Sequence, residues 1–114
     1  PIRRLIWRAL EAEGFRLLEA SNGREAIDRA ADHGEPIDLL ITDVVMPRMD
    51  GFTLAERLVE THPETRVLFI SGQADQMVAV RGGLKETGKA FLLKPFTPDR
   101  LLQAIQQLLD DVPR

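Results

Sequence analysis

Asp43, Ser71 and Lys94 each stand at the end of an apolar run: Leu39-Leu40-Ile41-Thr42 before the aspartate, Val67-Leu68-Phe69-Ile70 before the serine, Ala90-Phe91-Leu92-Leu93 before the lysine. Runs this short and this apolar read as buried strands of a parallel sheet. In an open α/β sheet, ligands bind outside the carboxyl ends of the strands. Each residue alone is ordinary at a strand end, but a carboxylate, a hydroxyl and an ammonium converging on one edge make a site. They make a poor hydrolase triad, because His33 and His62 fall at the far ends of helices and neither is placed to act as a base. Phosphoryl chemistry fits better, with the carboxylate as nucleophile and the hydroxyl and ammonium binding the transferred oxygens.

The elements that carry these residues follow from periodicity. Ile2, Leu5, Ile6, Ala9 and Leu10 share one helical face, and Gly14 ends that helix. Phe15 to Ala20 reads as a strand. Asn22 and Glu25 have capping-box spacing ahead of Ala26, Ile27, Ala30 and Ala31. Gly34-Glu35-Pro36 breaks that helix before the strand at Leu39 to Ile41, and the loop after Asp43 holds Pro47 and Gly51. Leu54, Ala55, Leu58 and Val59 predict a further helix closed by Thr61-His62-Pro63. A weaker helix is expected from about Asp75, interrupted by Gly82-Gly83. The last helix begins at Thr97 as cap and Pro98 in the first turn, with Leu101, Leu102, Ile105, Leu108 and Leu109 as its buried face. Strands alternating with helices imply right-handed crossovers and a parallel sheet covered on both sides.

The composition narrows the function. The 114 residues, 44% hydrophobic and 29% charged, suit a single domain over 1–114. With no cysteine, thiolate metal sites, disulfides and cysteine nucleophiles are excluded. Fifteen basic against 18 acidic residues give a net charge of −3, with no basic surplus for a nucleic-acid backbone. The apolar runs are far shorter than a membrane span, so a cytoplasmic setting without membrane or nucleic-acid contact is expected. The lone tryptophan, Trp7, reads as a packing residue.

Asp43-Val44-Val45-Met46-Pro47-Arg48-Met49-Asp50-Gly51 resembles the D-x-x-M-P-x-M-D-G signature of two-component response-regulator receiver domains, and Ser71-Gly72 and Lys94-Pro95-Phe96 match the family's other two signature positions. The resemblance implies a flavodoxin-like doubly wound sheet of order 2-1-3-4-5 with helices on both faces. It implies that Asp43 accepts a phosphoryl group from a phosphohistidine of a histidine kinase or phosphotransfer domain, that Lys94 offsets the charge, and that the Ser71 hydroxyl bonds a phosphoryl oxygen, Gly72 leaving it space. Mg²⁺ is the implied cofactor, held by Asp43 and the Val45 carbonyl. Phe91 matches the aromatic switch position, although an apolar residue there reads equally as core. Lys94-Pro95 matches a cis peptide. Val45 and Gln73 match the positions that govern water access to the acyl phosphate, so slow autodephosphorylation is assigned to Gln73. A homodimer is a further possibility that the family allows. The stretch from Ser71 to Pro95 is most similar to receivers attached to hybrid histidine kinases.

One departure bears on the metal. Receivers begin with a strand ending in consecutive acidic residues, whereas Pro1-Ile2-Arg3-Arg4-Leu5 reads as the start of the first helix. The expectation is therefore an N-terminally incomplete domain lacking its central first strand, destabilised for that reason, with Mg²⁺ weak or absent. The alternative reading is a phosphorylation-independent interaction module that keeps the fold without the metal site.

Overall fold

The computed structural model describes residues 2–72 and 88–110. Its elements are α1 (Ile2–Ala12), α2 (Gly23–His33), β1 (Leu39–Asp43), α3 (Gly51–Thr61), β2 (Arg66–Ser71), β3 (Lys89–Leu93) and α4 (Pro98–Asp110). The strands form one parallel sheet in the order β1-β2-β3, with Leu39 opposite Arg66 and Val67 opposite Lys89. The helix expected from Asp75, the Gly82-Gly83 break and Gln73 lie outside the described residues.

Alternation along the middle strand builds both halves of the core, since successive side chains point to opposite faces. Leu68 enters a cluster with Leu10, Leu92, Leu101, Ile105 and Leu108, which places α1 and α4 on one face. Its neighbours Val67 and Phe69 join Val44 and Ala55 of the other face, which α3 covers. Phe52 of α3 meets Phe69 with ring centroids 5.1 Å apart. The apolar stripe predicted for α4 lies in the first cluster, and of that predicted for α3, Leu54, Ala55 and Leu58 are buried and Val59 is half-buried.

Local chemistry sets the helix ends. Asn22 Oδ1 accepts the Glu25 N–H at 2.9 Å, and Gly34, at φ 74°, closes α2 in the left-handed conformation that glycine adopts without strain. The reciprocal half of a capping box is not made; the Glu25 carboxylate pairs instead with Arg29 at 3.0 Å. Thr97 Oγ1 accepts the Arg100 N–H at 3.1 Å, as its predicted role requires.

The strand expected at Phe15 to Ala20 does not form. The segment is irregular, with Phe15 and Leu18 exposed. A strand exists through ladder bonds to a neighbour, and this segment faces β1 across a cleft of about 880 Å³, lined by residues 14–22 on one side and 35–43 on the other. Only Leu17 reaches the core, and Arg3 of α1 tethers the segment through Glu19 at 2.6 Å. The described sheet accordingly has three strands rather than the four that the periodicity predicts. Among the described residues no helix is long and apolar enough to cross a membrane.

Candidate functional site

β1 ends on Asp43, β2 ends on Ser71, and Lys94 is the first residue past β3. The ladder runs one bond beyond the strands: the Val44 N–H donates to the Ile70 carbonyl at 2.9 Å, and the Lys94 N–H donates to the Ser71 carbonyl at 2.7 Å. The backbone of the central strand thus fixes the outer two, and the residues singled out from sequence share one edge.

Lys94 Nζ lies 2.7 Å from Asp43 Oδ1, with the two side chains 33% and 42% exposed. That exposure decides what the pair can do: it is close enough for a charge-assisted hydrogen bond, yet open to an incoming anion. Ser71 is only 2% exposed. The Lys94–Pro95 peptide is cis, as the resemblance implies.

The loop after Asp43 alternates inward and outward. Val44 is buried in the α3-side cluster, whereas the Val45 side chain is 67% exposed. Thr42, buried beside Asp43, donates its hydroxyl to the Asp43 carbonyl at 3.0 Å and to Met46 Sδ at 3.7 Å. The Pro47 carbonyl accepts the Met49 N–H at 2.7 Å, and the Val44 carbonyl accepts the Gly51 N–H at 2.8 Å, which closes the loop at its base. Gly51 is held to glycine by close approach: a Cβ there would overlap the Asp43 carbonyl oxygen and lie 3.2 Å from Thr42 Cγ2. At Gly72, by contrast, a Cβ would meet no described atom within 4 Å. Phe91 is half-buried on the α3 side of the sheet, in register with Phe69.

Sequence reasoning missed two supports of this loop. Asp50 caps α3 by accepting the Thr53 N–H at 2.8 Å, a role its place before the helical face could have signalled. Met49 packs against Gly23 of α2, a long-range contact with no sequence signature. For a metal ion, Asp43 is one carboxylate: among the described residues no three His, Cys, Asp or Glu gather in one place. Asp43 with a backbone carbonyl does not by itself complete an oxygen cage.

Comparison with known proteins agrees with this geometry. A family model described as the response regulator receiver domain matches residues 1–106. The chain is 37% identical over 103 residues to the sensor kinase CckA of Brucella abortus (strain 2308), covering 90% of this chain and 11% of that protein. It is 36% identical over 108 residues to the response regulator receiver protein CpdR of the same strain, covering 95% of this chain and 88% of that one. Among solved structures, the receiver domain of NtrX from Brucella abortus superposes with a TM-score of 0.82 at 28% identity, covering 97% of this chain and 92% of the other.

Proposed function

This chain belongs to the response regulator receiver family, a phosphoacceptor module of two-component signalling, and from that premise we propose that Asp43 is the acceptor, served by Lys94 and Ser71. The observation that carries the proposal is the 2.7 Å approach of Lys94 Nζ to Asp43 Oδ1 at an open strand edge.

The chemistry must overcome charge. An anionic carboxylate attacking an anionic phosphoryl group sets like charges together, and one such pair ~4 Å apart costs about 4 kcal/mol at an effective dielectric near 20. The ammonium of Lys94 offsets that repulsion from beside the nucleophile. An Asp43 oxygen forms the bond to phosphorus as the bond from phosphorus to the donor nitrogen breaks, and the donor imidazole keeps that electron pair. The Ser71 hydroxyl serves as donor to a phosphoryl oxygen, where charge is spread in the transition state. Phe91, packed beside the α3-side cluster, is the side chain proposed to respond when Ser71 does.

Receiver domains generally bind Mg²⁺ and interact with histidine kinases or phosphotransfer proteins. For this chain the proposed metal donors are Asp43 and the Val45 carbonyl, where a bound cation would offset phosphoryl charge. The proposed partner is a histidine kinase or phosphotransfer domain in the cytoplasm. Intact-mass measurement after acetyl phosphate with Mg²⁺ tests the assignment. A gain of one phosphoryl group that disappears in Asp43→Asn is expected; no gain overturns it and favours the interaction module, and a gain that survives Asp43→Asn overturns it by placing the acceptor elsewhere.

A further inference from the structure

The loop between Asp43 and α3 is tied to itself at its base and folded in its middle, by the Gly51 to Val44 and Met49 to Pro47 hydrogen bonds at 2.8 and 2.7 Å. Arg48, inside it, has φ 70°, a left-handed conformation that an arginine keeps only where its surroundings impose it. What the loop leans on outside itself is α2. A Cβ placed at Gly23, the first residue of α2, would lie 2.7 Å from Met49 Sδ and 3.2 Å from both Met49 Cβ and Met49 Cγ. Gly23 is buried, and Met49 is half-buried against it. The methionine fills the notch left by the missing side chain along its length, from root to sulfur.

The contact at the root matters more than the one at the tip. A clash with sulfur alone is relieved by rotating a flexible thioether. Cβ moves only with the main chain, and at Met49 the main chain is bonded to the Pro47 carbonyl two residues before the α3 terminus. A methyl added at Gly23 therefore presses on the loop through the root of Met49 as well as through its thioether. The receiving surface is firm, because Asn22 caps the first turn of α2 through the Glu25 N–H at 2.9 Å.

We propose that Met49 is a positioning residue for phosphoryl acceptance: seated in the Gly23 notch, it sets where the loop carrying Val45 stands relative to Asp43. The inference rests on Asp43 as the acceptor. Its signature is size complementarity across two distant positions. Enlarging Gly23 or shrinking Met49 displaces the loop, and doing both together restores it.

The test uses the 114-residue chain as wild type, Gly23→Ala, Met49→Gly, which also removes the Cβ at the root of the contact, the double variant and Met49→Leu. Two readouts are followed: the backbone amide resonances of residues 43–46, and the rate of phosphorylation by acetyl phosphate resolved into its maximum and half-saturation. Gly23→Ala is expected to shift those amides and to lower the maximal rate about tenfold at unchanged half-saturation, because a small misplacement of a reacting group is costly. Met49→Leu, close in volume, keeps both. In the double variant the amides return toward wild type and the rate recovers to within about twofold, as coupled neighbours require. Unchanged amides in Gly23→Ala, or two losses that simply multiply in the double variant, overturn the inference. If the wild type takes up no phosphoryl group, the acceptor assignment fails, while the amide shifts still decide whether Met49 places the loop.

Discussion

The Lys94 ammonium and the Asp43 carboxylate, drawn from strands on opposite sides of β2, meet at 2.7 Å. Neither residue selects the other locally; the parallel register of β1 and β3 on β2 does, through the Ile70 and Ser71 carbonyls that hold the residues just past each strand. Because both side chains are a third or more exposed, the pair adds little to folding and much to the charge felt by an incoming phosphoryl group.

Lys94→Ala should therefore separate activity from stability. Phosphorylation by acetyl phosphate is expected to fall by tenfold or more, about 1.4 kcal/mol of barrier, whereas urea unfolding should change by less than about 1 kcal/mol. A stability loss as large as the activity loss would show that the ion pair serves the fold.

Gly51→Ala should destabilise where Gly72→Ala does not. At Gly51 the added methyl overlaps the Asp43 carbonyl, and at Gly72 it meets no described atom. Expected losses in urea are about 1–3 kcal/mol for overpacking at Gly51 and within about 0.5 kcal/mol at Gly72. Equal effects would remove close approach as the reason for the glycine after Asp50.

Two aspartates of the signature loop should part company under amide substitution. Asp50 works by accepting a hydrogen bond from the Thr53 N–H, which an asparagine also does. Asp50→Asn is expected to keep stability and phosphorylation, Asp50→Ala to lose about 1 kcal/mol, and Asp43→Asn to keep the fold while losing phosphoryl uptake. Thermal melts and intact mass on the three variants check this.

Leu68 is fully buried in the middle strand and touches the α1 and α4 side of the core. Leu68→Ala should cost about 2–5 kcal/mol through lost transfer energy and an unfilled cavity, read as a lower urea midpoint. A cost below about 1 kcal/mol would mean that α4 collapses onto the gap.

The sequence by itself determined what depends on neighbours along the chain: the helical stripes, the caps at Asn22 and Thr97, the apolar run of each described strand, of which only the middle one is buried throughout its length past Arg66, and the polar residue at its end. These are written in periodicity and side-chain type, whereas the receiver family and its fold became legible through the resemblance of the Asp43 to Gly51 loop, Ser71-Gly72 and Lys94-Pro95-Phe96 to that family's signature. The segment at Phe15 to Ala20 shows the limit of that reading, because its apolar pattern allows a strand while only a paired edge makes one, and β1 lies across a cleft. Tertiary structure alone decided how closely the Asp43 carboxylate and the Lys94 ammonium approach, why Gly51 must lack a side chain, and where Met49 rests. Those depend on distances between residues far apart in sequence, which close packing fixes and local pattern does not encode.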